Sequence, residues 1–305
     1  MDTCVFGPVP SRRLGRSLGV DCVPFKTCPY DCIYCQLGAT TEKSITRRSF
    51  VPVDDVLNEL AGKLETNPDY ITLAGSGEPT LYAELGLLIE RIKQRTTIPI
   101  AVLTNGALLS CPDVRQALLP ADLVIPSLDA GDEATFQRVN RPHTGVTFEA
   151  MIEGIRAFRA AFNGALWLEV FLIRGLTDND EQVRKIAELA RAIGPDQVQL
   201  NTVTRPPTEP GTEAVPRQEM ERFARFFGGN AEVIAQYGQP SHAPDATAHQ
   251  HDVLEMLRRR PCTLEDICAG LQIHRAEALK YVNALLEAGA VRPENVGTQT
   301  YYRPA

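Results

Sequence analysis

Apolar and polar positions along the chain follow two alternating periods. Short apolar runs end in glycine, asparagine or aspartate, and stretches with apolar residues three and four positions apart lie between them. The runs predict strands at residues 18–23, 70–74, 98–103, 123–127, 165–173 and 197–200. The periodic stretches predict helices at residues 53–65, 83–94, 113–119, 132–139, 147–162 and 180–193. This alternation indicates an α/β fold in which helices cover a parallel sheet.

The end of the chain has a different pattern. After a helix at 217–227 and an apolar piece at 231–235, residues 239–248 predict a linker between a domain over 1–238 and a smaller one over 249–305. Amphipathic stretches at 252–259, 263–269 and 275–287 predict three short helices, and residues 289–291 and 299–302 predict a small β-wing. This order is the plan of a winged helix-turn-helix. Acids and bases balance in this tail, whereas a duplex binder carries a basic excess, so docking of a protein or peptide stays open.

Composition and charge narrow the class of protein. The chain has 305 residues, 44% apolar and 23% charged, as in an ordinary globular protein. No apolar run approaches the roughly 18 residues that span a bilayer, and the first residues lack a secretory pattern. We therefore expect a cytoplasmic protein with no membrane partner. The net charge of −7 argues against general affinity for nucleic acid, but bases outnumber acids over residues 1–50, where an anionic ligand is favoured.

Three cysteines carry the most specific chemistry. Cys28, Cys32 and Cys35 have the spacing Cys-x3-Cys-x2-Cys, which allows three thiolates on one loop to hold one metal centre. A 4Fe-4S cluster takes four ligands, so three cysteines leave one iron for a ligand that is not protein. An open position is typical of a catalytic metal site. A zinc site is the alternative, but it requires a fourth ligand. Cys4 and Cys22 are better explained as free thiols than as ligands of a second cluster.

Polar residues follow several predicted strands. Parallel βα sheets bind ligands at the carboxyl ends of their strands, so these residues are expected on one face. The alternative is that they only form turns. They are 75–78, Asn105, Asp129, Arg174 and Asn201.

The cysteine loop, with Tyr34 before its last cysteine, resembles the signature of the radical S-adenosylmethionine (SAM) superfamily. The run Ser76-Gly77-Glu78-Pro79 resembles the Gly-Gly-Glu-Pro turn of that family. Residues 6–15 resemble a subgroup of iron–sulfur oxidoreductases that is distantly related to the wyosine-forming tRNA enzymes. The resemblance implies a partial (β/α)6 barrel with a 4Fe-4S cluster and SAM as cofactors. It also implies an electron donor such as flavodoxin or ferredoxin, and reductive cleavage of SAM to a 5′-deoxyadenosyl radical that abstracts hydrogen from the substrate.

The resemblance also implies roles for single residues. The three cysteines ligate the cluster, Tyr34 lies against adenine, and the turn of Ser76, Gly77 and Glu78 accepts the amino group of methionine. The remaining candidates for contact with SAM are Asn105, Ser127, Asp129, Arg174 and Asn201.

The identity of the substrate stays open at this point. Arg12 and Arg13 are candidates for binding a substrate anion, with structural ion pairing as the alternative. The distant wyosine relatives favour RNA or a nucleotide, whereas the stretch around Thr177-Asp178, which resembles the glycyl-radical activating enzymes, favours a protein or peptide. A third hypothesis is an iron–sulfur sensor whose winged helix binds DNA.

Overall fold

A computed structural model describes residues 3–11, 13–235, 250–271, 273, 275–297 and 299–305. Its strands are β1 Val5–Ser11, β2 Gly15–Val20, β3 Thr27–Cys28, β4 Glu42–Lys43, β5 Tyr70–Leu73, β6 Ile100–Thr104, β7 Leu123–Pro126, β8 Ala165–Leu172, β9 Gln197–Thr202, β10 Ala231–Val233, β11 Val291–Val296 and β12 Gln299–Pro304. Its α-helices are α1 Val53–Ala61, α2 Leu85–Lys93, α3 Pro112–Leu118, α4 Glu133–Val139, α5 Phe148–Ala161, α6 Asp180–Ile193, α7 Arg217–Ala224, α8 Gln250–Arg259, α9 Leu264–Leu271 and α10 Arg275–Glu287. Among these residues, none of the helices is long and apolar enough to cross a bilayer.

Most strands belong to one sheet. Within the described part of the chain this sheet has eight strands in the order β1-β2-β5-β6-β7-β8-β9-β10. Strand β1 is antiparallel to β2, and the pairs from β2 to β10 are parallel. The predicted mixed α/β fold with a parallel sheet is therefore confirmed, and the carboxyl ends of its strands carry the cysteine loop and the polar turns.

The two edges of the sheet differ from the prediction. Strand β1 was not predicted, because Gly7, Pro8 and Pro10 interrupt its apolar pattern. An edge strand tolerates proline, since it has ladder hydrogen bonds on one side only. The first predicted strand, 18–23, is wrong in position, because β2 runs from Gly15 to Val20. At the other edge, the apolar piece at 231–235 contributes β10 as a further parallel strand.

Amphipathic helices cover the sheet. The buried positions of α1 are Val53, Val56, Leu57 and Leu60, which have the spacing of one helix face. Strand β7 is buried at every position, as is typical of an interior strand of a parallel sheet. Beneath the cysteine loop, the ring of Phe136 meets that of Tyr30 edge-on, with centroids 5.4 Å apart. The cysteine loop therefore rests on a packed aromatic core.

The C-terminal tail, residues 250–305, has its own small core built from helices α8, α9 and α10 and from Val291 of β11. Its helices agree with the prediction within two residues at each end. The hairpin β11–β12 lies in the region of the predicted wing, but β11 is longer than predicted. Val9 of β1 packs against the core of the tail, so the tail contacts the edge of the sheet. The predicted linker lies outside the described residues, and a winged-helix identity for the tail stays a prediction.

Candidate active site

The cysteine loop is held in place by main-chain hydrogen bonds. The amide of Asp31 donates to the carbonyl of Asn140 at 3.0 Å, and the amide of Ile33 donates to that of Val139 at 3.0 Å. Within the loop, the amide of Cys35 donates to the carbonyl of Cys32 at 3.1 Å. The segment after α4 thus acts as a support for the loop, although α4 carries none of the predicted ligands.

Each cysteine sulfur accepts a hydrogen bond from a different side chain. Asn105 Nδ2 lies 3.3 Å from the sulfur of Cys28, and Asn140 Nδ2 lies 3.4 Å from that of Cys32. The ammonium group of Lys26, a residue only 3% exposed, lies 3.1 Å from the sulfur of Cys35. Such donors favour a thiolate over a thiol and are among the groups that set the reduction potential of an iron–sulfur cluster.

Burial opposes the thiolate form at two of the three cysteines. Desolvation raises the pKa of Cys28 to about 12, and the carboxylate of Glu78 adds to the rise. Desolvation also raises the pKa of Cys32 well above its ordinary value, while the hydrogen bond from Asn140 lowers it. Metal ligation requires the thiolate, so binding of a cluster would release protons here.

The arrangement fits a cluster better than a single ion. Over the described part of the chain, no three histidine, cysteine, aspartate or glutamate side chains are placed to share one metal ion. A 4Fe-4S cube does not need this, because each cysteine binds a different iron. Three thiols on one loop, each with its own N–H donor, therefore match the ligand set of a cube with one iron left open.

The turn Ser76–Glu78 lies directly against the cysteine loop. The amide of Lys26 donates to the carbonyl of Ser76 at 2.7 Å, and the amide of Glu78 donates to the carbonyl of Thr27 at 3.1 Å. Gly77 lies between these two bonds, and a β-carbon at this position would be 2.5 Å from the oxygen of Thr27. Only glycine permits this approach, which explains the residue type at the centre of the turn.

Glu78 has a structural role in its turn, which is the alternative to contact with a ligand given for the strand-end residues. Its carboxylate accepts hydrogen bonds from the amide and hydroxyl of Thr80, the hydroxyl of Thr104 and the amide of Asn105. It caps the short 3-10 helix Pro79–Leu81. Burial raises the pKa of Glu78, and the four hydrogen bonds oppose that rise. The carboxylate therefore braces the turn against the end of β6.

The half-buried Tyr34 and the buried Asp129 form one unit next to Cys32. The ring of Tyr34 stacks on that of Phe171 with centroids 3.9 Å apart, and its hydroxyl donates to Asp129 at 2.5 Å. Asp129 also accepts hydrogen bonds from the side chain of Asn140 and the amide of Phe171. Desolvation raises the pKa of Asp129 to about 6. All three contacts of Asp129 are with protein groups, and its predicted contact with SAM stays a prediction.

A cavity of about 340 Å³ opens beside the turn Ser76–Glu78. Gly77, Glu78, Asn105 and Ser127, four of the predicted site residues, line one side of it. Strand β1 and the tail also contribute to the lining, through Phe6, Val9, Met256, Arg259 and Arg260. The tail therefore helps to enclose the space next to the predicted SAM site.

Polar side chains from β8 and β9 form a network beside the cavity. Glu169, which lines the cavity, pairs with Arg13 at 2.9 Å and accepts a hydrogen bond from Asn201 at 2.8 Å. Arg13 also donates to Gln199 at 3.2 Å. The ion pair of Arg13 supports the structural alternative, while its place beside the cavity keeps a substrate role open.

Of the two other predicted arginines, the structure describes one. Arg12 lies outside the described residues. Arg174 is more than half exposed and pairs with Glu213 at 3.5 Å. Its predicted contact with the carboxylate of SAM stays a prediction.

Several residues of the site were missed at the level of sequence. They are Asp21, Lys26, Asn140, Glu169 and Arg259. Two of them carried a usable signal. Lys26 stands two positions before Cys28, and Glu169 is an acid in the middle of the apolar strand β8. The sequence around Arg259 gave no such signal, because its partner Asp21 lies near the start of the chain, 238 positions away.

Fold and site together define an α/β protein that presents three spaced thiols at the carboxyl ends of its parallel strands. Residues 22–190 match the family model of the Radical SAM superfamily, and the chain belongs to that superfamily. It is 34% identical over 304 residues to a UPF0026 protein of Helicobacter pylori, covering 98% of this chain and 96% of that protein.

Two further similarities differ in extent. The chain is 41% identical over 299 residues to a protein of Brachyspira hyodysenteriae named GTPase Obg. That match covers 96% of this chain but 44% of the relative, so the chain spans less than half of the relative's length. Among solved structures, a radical SAM methyltransferase from Sphaerobacter thermophilus superposes with a TM-score of 0.56 at 20% identity. The superposition covers 73% of this chain and 66% of the other, and it supports the fold alone.

Proposed function

We propose that the protein binds a 4Fe-4S cluster through Cys28, Cys32 and Cys35 and cleaves SAM reductively. The observation that carries this proposal is the pair of main-chain hydrogen bonds between the cysteine loop and the turn Ser76–Glu78. They hold the loop that carries the predicted cluster ligands against the predicted SAM turn, and Gly77 and Glu78 of that turn line the cavity. When bound, the cluster supplies the electron that splits SAM into methionine and a 5′-deoxyadenosyl radical, which abstracts hydrogen from the substrate.

The surrounding residues would position SAM. The turn around Gly77 lies against the cysteine loop because it has no side chain there, and it would take the methionine amino group. Phe171 stacks on one face of Tyr34, and adenine would lie on the other face. Asn105 and Ser127 line the cavity and are the best placed of the polar strand-end residues to meet SAM.

The substrate is proposed to be RNA or a nucleotide, or else a protein or peptide. The cavity of about 340 Å³ suits a small molecule or a single inserted group, such as one base or one side chain, rather than a flat macromolecular surface. The alternative function, an iron–sulfur sensor that binds DNA through a winged-helix tail, is not favoured by membership in an enzyme superfamily. We propose a winged-helix-like tail that closes the cavity, and flavodoxin or ferredoxin as the electron donor.

Anaerobic reconstitution tests the chemistry. The protein with a full cluster, dithionite and SAM should release 5′-deoxyadenosine, measured by liquid chromatography. Cys32→Ser should lose cluster and product, whereas Cys111→Ser, at an exposed free cysteine, should retain both. A fully loaded protein that binds SAM and yields no 5′-deoxyadenosine would refute the proposal.

A further inference from the structure

A buried carboxylate connects the predicted SAM turn to the tail. Asp21 follows β2 and is 5% exposed. One of its oxygens, Oδ2, accepts hydrogen bonds from the amide of Ser76 at 2.9 Å and from the hydroxyl of Ser76 at 2.7 Å. The same oxygen accepts a third hydrogen bond from Nη1 of Arg259 at 2.5 Å. A single atom therefore joins the first residue of the turn to the last residue of α8.

Arg259 is held in this position by several groups. Its second nitrogen, Nη2, donates to the carbonyl of Thr3 at 2.5 Å, and its guanidinium group lies 5.0 Å from the centre of the Phe6 ring. It ends α8, whose residues Val253, Met256 and Leu257 are buried in the core of the tail. The position of this charge therefore depends on how the tail docks against the N-terminal strand.

The charge matters because Asp21 is buried. A carboxylate removed from water is destabilised unless a counter-charge and hydrogen bonds compensate it. Arg259 supplies a positive charge 238 positions along the chain from Asp21. Space around the carboxylate is also tight, because a β-carbon on Gly75 would be 2.1 Å from its carbon atom. If the arginine were lost, Asp21 would turn towards water, and Ser76 would lose its fixed acceptor.

We propose that Arg259 is a positioning residue for SAM, acting through Asp21 and Ser76, so that docking of the tail sets the affinity for SAM. This inference rests on the proposed function, since it assumes that the turn Ser76–Glu78 binds SAM. The arginine also lines the cavity, so the tail both encloses the site and fixes the shape of its SAM-binding turn. Ser76 contributes to this connection between the tail and the turn, because its hydroxyl donates a hydrogen bond to Asp21 that the glycine common in the family cannot make.

Equilibrium dialysis of SAM with the cluster-loaded full chain tests this inference. Arg259→Gln should raise the dissociation constant about tenfold, and Arg259→Lys should recover part of the loss. Arg258→Gln is the matched control, because the neighbouring arginine pairs with Glu255 on the same helix, and its affinity should stay within about twofold of wild type. Iron content and the cluster EPR signal should be equal in all four proteins.

A double-mutant cycle separates positioning from a general loss of stability. If Arg259 acts through Asp21, Asp21→Asn combined with Arg259→Gln should bind SAM as weakly as Asp21→Asn alone. Additive losses, or an Arg259→Gln protein with unchanged affinity, would overturn the inference while leaving the proposed function intact. Failure of the wild-type protein itself to bind SAM would overturn both.

A measurement on the unaltered protein covers the case in which the variants do not fold. Because coupling between two binding events is reciprocal, SAM must stabilise the docked tail if the docked tail favours SAM. Hydrogen–deuterium exchange at the amides of 250–259 should slow when SAM is added. Slower exchange in the turn 75–78 with no change in 250–259 would refute the inference.

Discussion

The contact between the cysteine loop and the turn at Gly77 gives a sharp test of the site. In Gly77→Ala the added β-carbon would be 2.5 Å from the oxygen of Thr27, 2.7 Å from a methyl carbon of Val23 and 3.1 Å from the oxygen of Pro24. Two of these atoms belong to the main chain and cannot move away by a change of side-chain rotamer. The turn and the loop must therefore move apart.

The magnitude follows from two losses. Overpacking a close contact costs about 1–3 kcal/mol. Moving the carbonyl of Thr27 away also weakens the hydrogen bond that it accepts from the amide of Glu78, which contributes about 0.5–1.5 kcal/mol. We expect Gly77→Ala to lower the free energy of unfolding by about 1.5–4.5 kcal/mol in total. Because Thr27 precedes Cys28, the same shift should weaken SAM binding more than tenfold.

Urea denaturation of the cluster-free protein measures the first effect, and dialysis of SAM with the reconstituted protein measures the second. Gly229→Ala is the control, since a β-carbon at Gly229 meets no heavy atom within 4 Å. It should leave stability within about 0.5 kcal/mol of wild type. Wild-type stability together with wild-type SAM affinity in Gly77→Ala would show that the turn and the loop do not constrain each other.

Three further predictions concern the surroundings of the site. Lys26→Met removes a buried cation 3.1 Å from the sulfur of Cys35 and should lower the cluster midpoint potential in an EPR redox titration; an unchanged potential contradicts this. Phe136→Ala should destabilise the protein to urea by about 3–5 kcal/mol, because its ring is buried under the cysteine loop; a loss below about 1 kcal/mol would contradict that packing. Asp132 caps α4, and hydrogen bonds from the amide of Thr135 and from neighbouring side chains hold its pKa well below the ordinary range. The stabilisation that ionised Asp132 gives the folded protein is therefore fully present above its pKa in the unfolded chain, about 3.9. It is lost as the pH falls towards the lower pKa of Asp132 in the folded protein. Asp132→Ala should cost about 1 kcal/mol at pH 7, and the difference from wild type should shrink between pH 4 and pH 2; a difference that is constant with pH would contradict this.

Periodicity predicted the sheet well where strands are buried and helices amphipathic. Helices α6 and α10 have the predicted bounds because each has a regular apolar face and a clear end, such as Gly194 in the left-handed conformation after α6. Strand β1 escaped prediction because an edge strand keeps few of the features that mark a buried one. Its pairing with β2 and its packing against the tail are contacts between distant segments, which local pattern does not encode.

The residues of the site also fall into two groups, those that local sequence predicts and those that only the fold brings together. Cys28, Cys32 and Cys35 could be found because their spacing is local and their side chains have a distinctive chemistry. Asn140 and Asp21 could not, because asparagine and aspartate at turns are common, and only the fold shows that one faces a thiol and the other faces Ser76. Arg174 is a different case, since its place after a strand suggests a ligand contact, the structure puts it at the surface beside Glu213, and the contact with SAM stays a prediction.

The pairing of Asp21 with Arg259 also has a consequence for synthesis on the ribosome. The two residues are 238 positions apart, so the counter-ion of Asp21 is translated roughly 10–50 s after Asp21 at ordinary elongation rates. Near the end of that interval the cysteine loop and most of the sheet have been translated, but the turn at Ser76 still lacks the ion pair that holds Asp21. A nascent or prematurely terminated chain would therefore have its predicted metal ligands before its proposed SAM-binding turn is held in place. The order of translation thus delays assembly of the complete site until α8 has been made.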